Sequence, residues 1–127
     1  MIRIIITFLF YIFILLNSNL IADEKLRVGL LAPFSGKYKN LGDSLLLSTQ
    51  LALDEIDNKN IIIIPKDSGS DDKVKLNVSI KEMITSGIKI IIGPMTASSF
   101  TELEKYNETI FISLSNKEPK ISKNVIN

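Results

Sequence analysis

The segment from Arg27 to Asp43, RVGLLAPFSGKYKNLGD, constrains the fold more than any other part of this 127-residue chain. It starts within an apolar run, Leu26–Ala32, that is typical of a buried strand in a parallel sheet. A Ser35-Gly36 turn follows, and the chain then enters a helical pattern. In open α/β sheets, the loop after the carboxyl end of a strand is where ligands bind. Ser35 and Gly36 are therefore either a binding loop or a plain turn, and the sequence favours neither.

The first 22 residues have the three-part plan of a secretory signal peptide. A short basic start ends at Arg3, residues 4–16 are apolar except for Thr7, and a polar stretch ends at the small residue Ala22. This apolar core is shorter than the roughly 20 residues that cross a bilayer as a helix. We expect cleavage after Ala22, which leaves 23–127 as the mature chain. The alternative is an uncleaved leader, which would be the one contact with a membrane.

The composition excludes several classes of function. After Ala22 the chain has 14 Lys and Arg (15 in the whole chain, less Arg3) against 14 Asp and Glu, so no nucleic-acid partner is implied. Without cysteine or histidine there is no disulfide, no lipid anchor on Cys and none of the commonest zinc ligands. The glycine-rich signatures of dinucleotide and nucleotide binding are also missing, so we expect no cofactor and no enzyme activity.

A cluster of aspartates, Asp67, Asp71 and Asp72, suggests a metal loop, but the spacing is wrong. Calcium loops close with a Glu about eleven residues after the first ligand, and Val78 occupies that position here. We expect a turn followed by negative charge at a helix N-terminus, and no metal site.

The mature chain alternates between strand and helix patterns. We expect strands at 26–32, 61–64, 88–92 and 109–114, with Pro65 ending the second strand. We expect helices that start at 43–44, at about 71 and at about 98 and end near 56, 86 and 105. The second helix carries an apolar stripe at helical spacing, Leu76, Ile80, Met83 and Ile84, and Gly87 ends the helix. This order predicts a three-layer α/β fold with an open parallel sheet in the order 2-1-3-4 and right-handed crossovers.

The order and spacing of three segments, VGLLAPFSGKYKNLGDSLLLSTQLALDEID, IKIIIGPMTASSF and IFISLSN, resemble the start of type I periplasmic binding proteins, the branched-chain amino-acid or leucine-binding family. The resemblance covers about 100 of the 105 residues after Ala22. It is most similar to the penicillin-binding protein activator branch, through the Pro65-Lys66-Asp67-Ser68-Gly69 loop and Gly93-Pro94. It implies a lobe truncated to its first part, with four strands and three helices.

The resemblance implies a periplasmic solute receptor of the ABC-importer type, which binds an amino acid or a similar small polar ligand between two lobes. Its partners would be that ligand and an ABC permease. The alternative is a regulator of the cell envelope with the same fold, which would contact a peptidoglycan synthase instead of a transporter.

The resemblance also assigns ligand positions. Leu41 stands in place of a family aromatic, and Ala97 replaces a Ser that holds the amino-acid carboxylate. Ser115 and Lys117 replace a small residue and a Thr. These changes weaken the case for a free α-amino acid.

The neighbouring hydroxyl groups of Thr96, Ser98 and Ser99 could take over the lost contacts. Their position at the start of a helix favours a role as helix caps. Tyr38 is either an exposed loop aromatic or a lid over the cleft. The candidate ligand residues are Ser35, Gly36, Leu41, Thr96, Ala97, Ser98, Ser115 and Lys117.

Overall fold

The computed structural model describes residues 25–96, 103–116 and 123–126. The strands are β1 Leu26–Ala32, β2 Ile61–Asp67, β3 Ile90–Ile92, β4 Ile110–Ile112 and β5 Val125–Ile126, and the α-helices are α1 Lys39–Ile56 and α2 Lys73–Thr85. A short 3-10 turn, Gly36–Tyr38, leads into α1. The expected signal peptide lies outside the described residues.

All five strands pair in parallel, in the order β2-β1-β3-β4-β5. This confirms the predicted order of the first four strands and the α/β class. The fifth strand is a correction to the expected count of four. β5 has only two residues, Val125 and Ile126, which is too short for any periodicity to mark it in the sequence.

The prediction that Pro65 ends the second strand was wrong, because β2 continues through it to Asp67. Pro65 pairs with Leu30 of β1. A proline has no N–H to donate, so a strand tolerates it only where that side needs no partner. β2 lies at the edge of the sheet, and this position makes Pro65 acceptable.

Helix α1 begins at Lys39, four residues before the predicted start at Asp43. The 3-10 turn carries the chain directly into helical geometry, and Asp43 forms an ion pair with Lys39 one turn back. β3 and β4 are shorter than predicted. The third predicted helix, 98–105, falls largely on 97–102, outside the described residues.

The core lies between the sheet and α2. Leu76, Ile80 and Met83 of the predicted stripe are buried there. They pack against side chains from one face of the sheet and the segment after β3, namely Leu31, Ile91, Leu103, Phe111 and Val125. Right-handed crossovers place α1 on the opposite face, over β1 and β2. Among the described residues, no helix has the length and apolar character needed to cross a membrane.

Candidate ligand site

Three loops meet at the carboxyl edge of the sheet: 33–38 after β1, 68–72 after β2 and 93–96 after β3. They surround a cavity of about 300 Å³. The apolar lining comes from Pro33, Leu76, Pro94 and Met95. The polar lining comes from Tyr38, Ser68, Asp71, Asp72, Lys73 and Thr96. A concave site with an apolar base and a few convergent polar groups is typical of small-molecule binding.

The polar groups of the cavity differ in how they are used. Asp72 caps α2, because its Oδ1 accepts from the backbone N–H groups of Val74 at 2.9 Å and Lys75 at 3.0 Å. For Asp72, this confirms the predicted negative charge at a helix N-terminus, whereas Asp67 lies at the end of β2. Within the described residues, the side chains of Asp71 and Lys73 form no ion pair. Besides the capping carboxylate of Asp72, Asp71 and Lys73 therefore bring one negative and one positive group to the cavity.

Asp67, the last residue of β2, connects the first two loops. Its Oδ1 accepts from Phe34 N at 2.8 Å and from Gly69 N at 2.9 Å, and its Oδ2 pairs with Lys75 Nζ at 2.5 Å. Burial by itself would raise the pKa of this carboxyl. The Lys75 ammonium, the Ser35 hydroxyl and the two backbone amides outweigh that effect and hold the pKa well below its ordinary value. Asp67 is therefore a charged carboxylate that links the first two loops beside the cavity.

The structure brings only some of the candidate residues to the cavity. Thr96 lines it, as does Tyr38. Ser35 and Gly36 belong to the same loop as Tyr38 but are not part of the described lining, and the Ser35 hydroxyl accepts from Lys75 Nζ at 2.9 Å. Leu41 lies in the first turn of α1, half exposed, and does not reach the described lining.

The remaining candidates follow later strands. Ser115 comes after β4, and its backbone N–H donates to Ser113 Oγ at 3.0 Å. It is not part of the described cavity lining. Ala97, Ser98 and Lys117 lie outside the described residues, so their assignment stays a prediction.

Sequence reasoning missed the part that the second loop contributes. Asp71, Lys73 and Leu76 line the cavity, but they were interpreted as the start of a helix and its core stripe. A signal for them was available. β2 neighbours β1 in the predicted order, so the loop after β2 had to meet Ser35-Gly36 at the same edge.

A second depression lies at the opposite end of the sheet. It has a volume of about 590 Å³, and its lining includes Leu26, Arg27, Ser86 and Lys89, at the amino ends of β1 and β3. It is larger than the cavity at the carboxyl edge. Ligands of open parallel sheets bind outside the carboxyl ends of the strands, so we assign the candidate site to the smaller cavity.

No protein-family model and no curated protein sequence matches the chain. Solved structures do match. A solute-binding protein of an ABC transporter from R. palustris, in complex with 4-hydroxybenzoate, superposes with a TM-score of 0.68 at 17% identity, over 80% of this chain and 31% of that one. The branched-chain amino acid transporter substrate-binding protein LivJ from Streptococcus pneumoniae, in complex with isoleucine, gives 0.66 at 21% identity, over 80% and 33%.

Full-length LpoA from Haemophilus influenzae is also similar, with a TM-score of 0.64 at 18% identity, over 80% of this chain and 18% of LpoA. The chain has the fold of a type I periplasmic binding protein. This confirms the fold that the sequence resemblance implied. The chain spans about a third of the length of the two transport proteins and less of LpoA.

Proposed function

We propose that this chain forms part of a solute-binding receptor of the ABC-importer type and contributes one wall of the ligand site. The observation that carries the proposal is the cavity at the carboxyl ends of β1, β2 and β3. It lies where the topology of an open parallel sheet directs ligands. Two of the similar structures are solute-binding proteins with small molecules bound, which supports the same kind of ligand here.

We propose a ligand that resembles an amino acid, with an apolar part and both charges. Pro33, Leu76 and Met95 offer apolar contact. Asp71 would attract an ammonium group and Lys73 a carboxylate. Thr96 also lines this cavity. The proposed role is binding alone, without catalysis or a cofactor.

The first 22 residues support export of the chain from the cytoplasm. We propose that residues 1–22 are a signal peptide and that the mature chain begins at Asp23 in the periplasm, where an ABC permease would be its partner. N-terminal sequencing of the chain recovered from the cell envelope tests this. A sequence that begins at Asp23 is expected, and one that begins at Met1 would contradict cleavage.

Calorimetric titration tests the binding proposal, with isoleucine and 4-hydroxybenzoate as probes. We expect a saturable response that is weaker than micromolar, because the described residues supply one wall and no closing lobe. Thr96→Trp should abolish the response by filling the cavity. The matched control is Thr85→Trp on the exposed end of α2, which should leave the response unchanged. Absence of any saturable response, or a response insensitive to Thr96→Trp, would overturn the proposal.

A second candidate function is regulation of the cell envelope, in which a protein surface rather than a ligand is recognised. The resemblance to the penicillin-binding protein activator branch supports it. LpoA also shares this fold. A chain that binds none of the small probes but is retained by an immobilised peptidoglycan synthase would favour this candidate.

A further inference from the structure

The loop after β1 is tied to the loop after β2 by side chains that do not line the cavity. Ala32 and Asp67 are partners at the ends of the two strands, and Ser68 N donates to Ala32 O at 2.9 Å. Both loops therefore leave the sheet at the same level. From there, Lys75 and Ser70 connect the second loop and α2 to the first loop.

Lys75 makes the first connection. Its ammonium group pairs with Asp67 and also donates to Ser35 Oγ, so one cation joins the end of β2 to the loop after β1. The same carboxylate accepts from Phe34 N. Two successive residues of the first loop are thus held by one ion pair.

Ser70 makes the second connection. Its hydroxyl donates to Ser35 O at 2.7 Å and accepts from Tyr38 N at 3.1 Å. Gly36 permits this close approach. Its φ is +74°, and a Cβ there would lie 2.9 Å from Ser70 Oγ. The hydroxyl therefore spans the turn and fixes its last residue, Tyr38, which is a wall of the cavity.

We propose that Lys75 and Ser70 are positioning residues. Together they form a clamp, which holds the Ser35–Tyr38 loop in the conformation that places Tyr38 at the ligand. The proposal rests on the proposed function and assigns a role to residues outside the lining. Ser35 then serves as an anchor for Lys75 instead of donating its hydroxyl to a ligand. The loop then holds Tyr38 in its binding conformation before the ligand arrives, and this lowers the entropic cost of binding.

Amide hydrogen exchange of the full chain tests the clamp without any ligand. Lys75→Met should speed exchange at Phe34 and Tyr38 about tenfold. The substitution removes the charge-assisted bonds of Lys75 to Asp67 and Ser35, which hold the loop that contains these two amides. Lys75→Arg should restore protection. Lys81→Met, which removes an exposed lysine from the same helix, is the control. Unchanged exchange at these two amides, or equally faster exchange throughout the chain, would overturn the proposal.

Ser70→Ala tests the same clamp if Lys75→Met fails to fold, with Ser48→Ala on α1 as its control. It should speed exchange at Tyr38 more than at Phe34, because only Tyr38 N donates to Ser70. Equal protection in Ser70→Ala and the wild type would contradict its role.

Titration with isoleucine and 4-hydroxybenzoate adds the functional readout. Affinity for the probe that binds should fall about tenfold in Lys75→Met, measured at a temperature at which the variant is fully folded. An unchanged affinity would contradict a positioning role. If the wild type binds neither probe, the proposed function fails, and hydrogen exchange still decides whether the clamp exists.

Discussion

At the scale of single residues, Asp67 does the most to join separate parts of the chain. It lies at the end of β2, and its carboxylate contacts the backbone of two loops and the ammonium of Lys75. Removing such an acceptor leaves several donors without a partner, which costs more than one hydrogen bond is worth. The sequence motif from Pro65 to Gly69 predicted a loop. The structure shows that Asp67 of this motif binds the backbone of Phe34 and the ammonium of Lys75.

Asp67→Asn keeps the shape of the side chain and removes its charge. We expect the free energy of unfolding to fall by about 2 kcal/mol at neutral pH. Urea unfolding measures this, with Asp54→Asn on the exposed side of α1 as the control. A loss no larger than that of the control would show that the carboxylate is not a structural acceptor.

The same carboxylate predicts a pH dependence. The pKa of Asp67 is lowered in the folded chain, so its stabilising effect is complete above the unfolded pKa of about 3.9. That effect is lost as the pH falls below this value toward the folded pKa. The stability difference between the wild type and Asp67→Asn should therefore shrink as urea unfolding is repeated from pH 5 down to pH 2. A constant difference would contradict the lowered pKa.

At the scale of elements, α1 is the helix whose placement depends most on one position. Gly42 is its one fully buried residue, and it faces the chain where β1 ends. A Cβ at this position would lie 2.1 Å from the Pro33 carbonyl oxygen. Contact that close with backbone cannot be relieved by a rotamer change. The helix can therefore approach the sheet only because residue 42 has no side chain.

Gly42→Ala tests this packing. Helix propensity alone would favour alanine by about 1 kcal/mol. The clash should outweigh it and destabilise the chain by about 2 kcal/mol, because α1 must move away from Pro33. Thermal unfolding followed by circular dichroism measures the change. Ser44→Ala, an exposed position in the same helix, should have little effect, and stabilisation by Gly42→Ala would contradict the close approach.

Elements also show how far sequence reasoning reached. The stripe of Leu76, Ile80 and Met83 predicted α2 because its spacing is intrinsic to a helix. A short apolar run predicted β1, and a run of four isoleucines predicted β2. Pro65 misled because a proline ends a central strand but not an edge strand, and position in the sheet is a tertiary fact. The tie between Ser35 and Lys75 spans 40 positions, so no local pattern could reveal it.

At the scale of the whole molecule, the two faces of the sheet are unequally covered. Helix α1 covers β1 and β2 on one face of the sheet. On the same face, the described residues leave a row of apolar side chains exposed on and near β4 and β5: Ile110, Ile112, Leu114 and Ile126. Ile112 lies beside Ile92 and Ile126 in the register of the sheet, so the row is continuous across strands. Continuous apolar surface of this kind promotes association.

Ile112→Glu should therefore reduce self-association of the chain while leaving its fold intact, because the side chain is 38% exposed. Sedimentation velocity at several concentrations measures association, and circular dichroism checks the fold. Leu51→Glu on α1, also exposed, should change association less because it lies away from this row. Equal effects of the two variants, or a wild type that stays monomeric, would contradict the importance of this face.

The proposed function depends on where a ligand binds. A chemical-shift titration of the isotope-labelled chain with isoleucine locates that place directly. We predict shifts at the amides of Tyr38, Gly69, Asp71 and Thr96, around the cavity at the carboxyl edge of the sheet. Shifts at Ser86 and Lys89, around the depression at the opposite edge, or no shifts at saturating isoleucine and 4-hydroxybenzoate, would contradict the account.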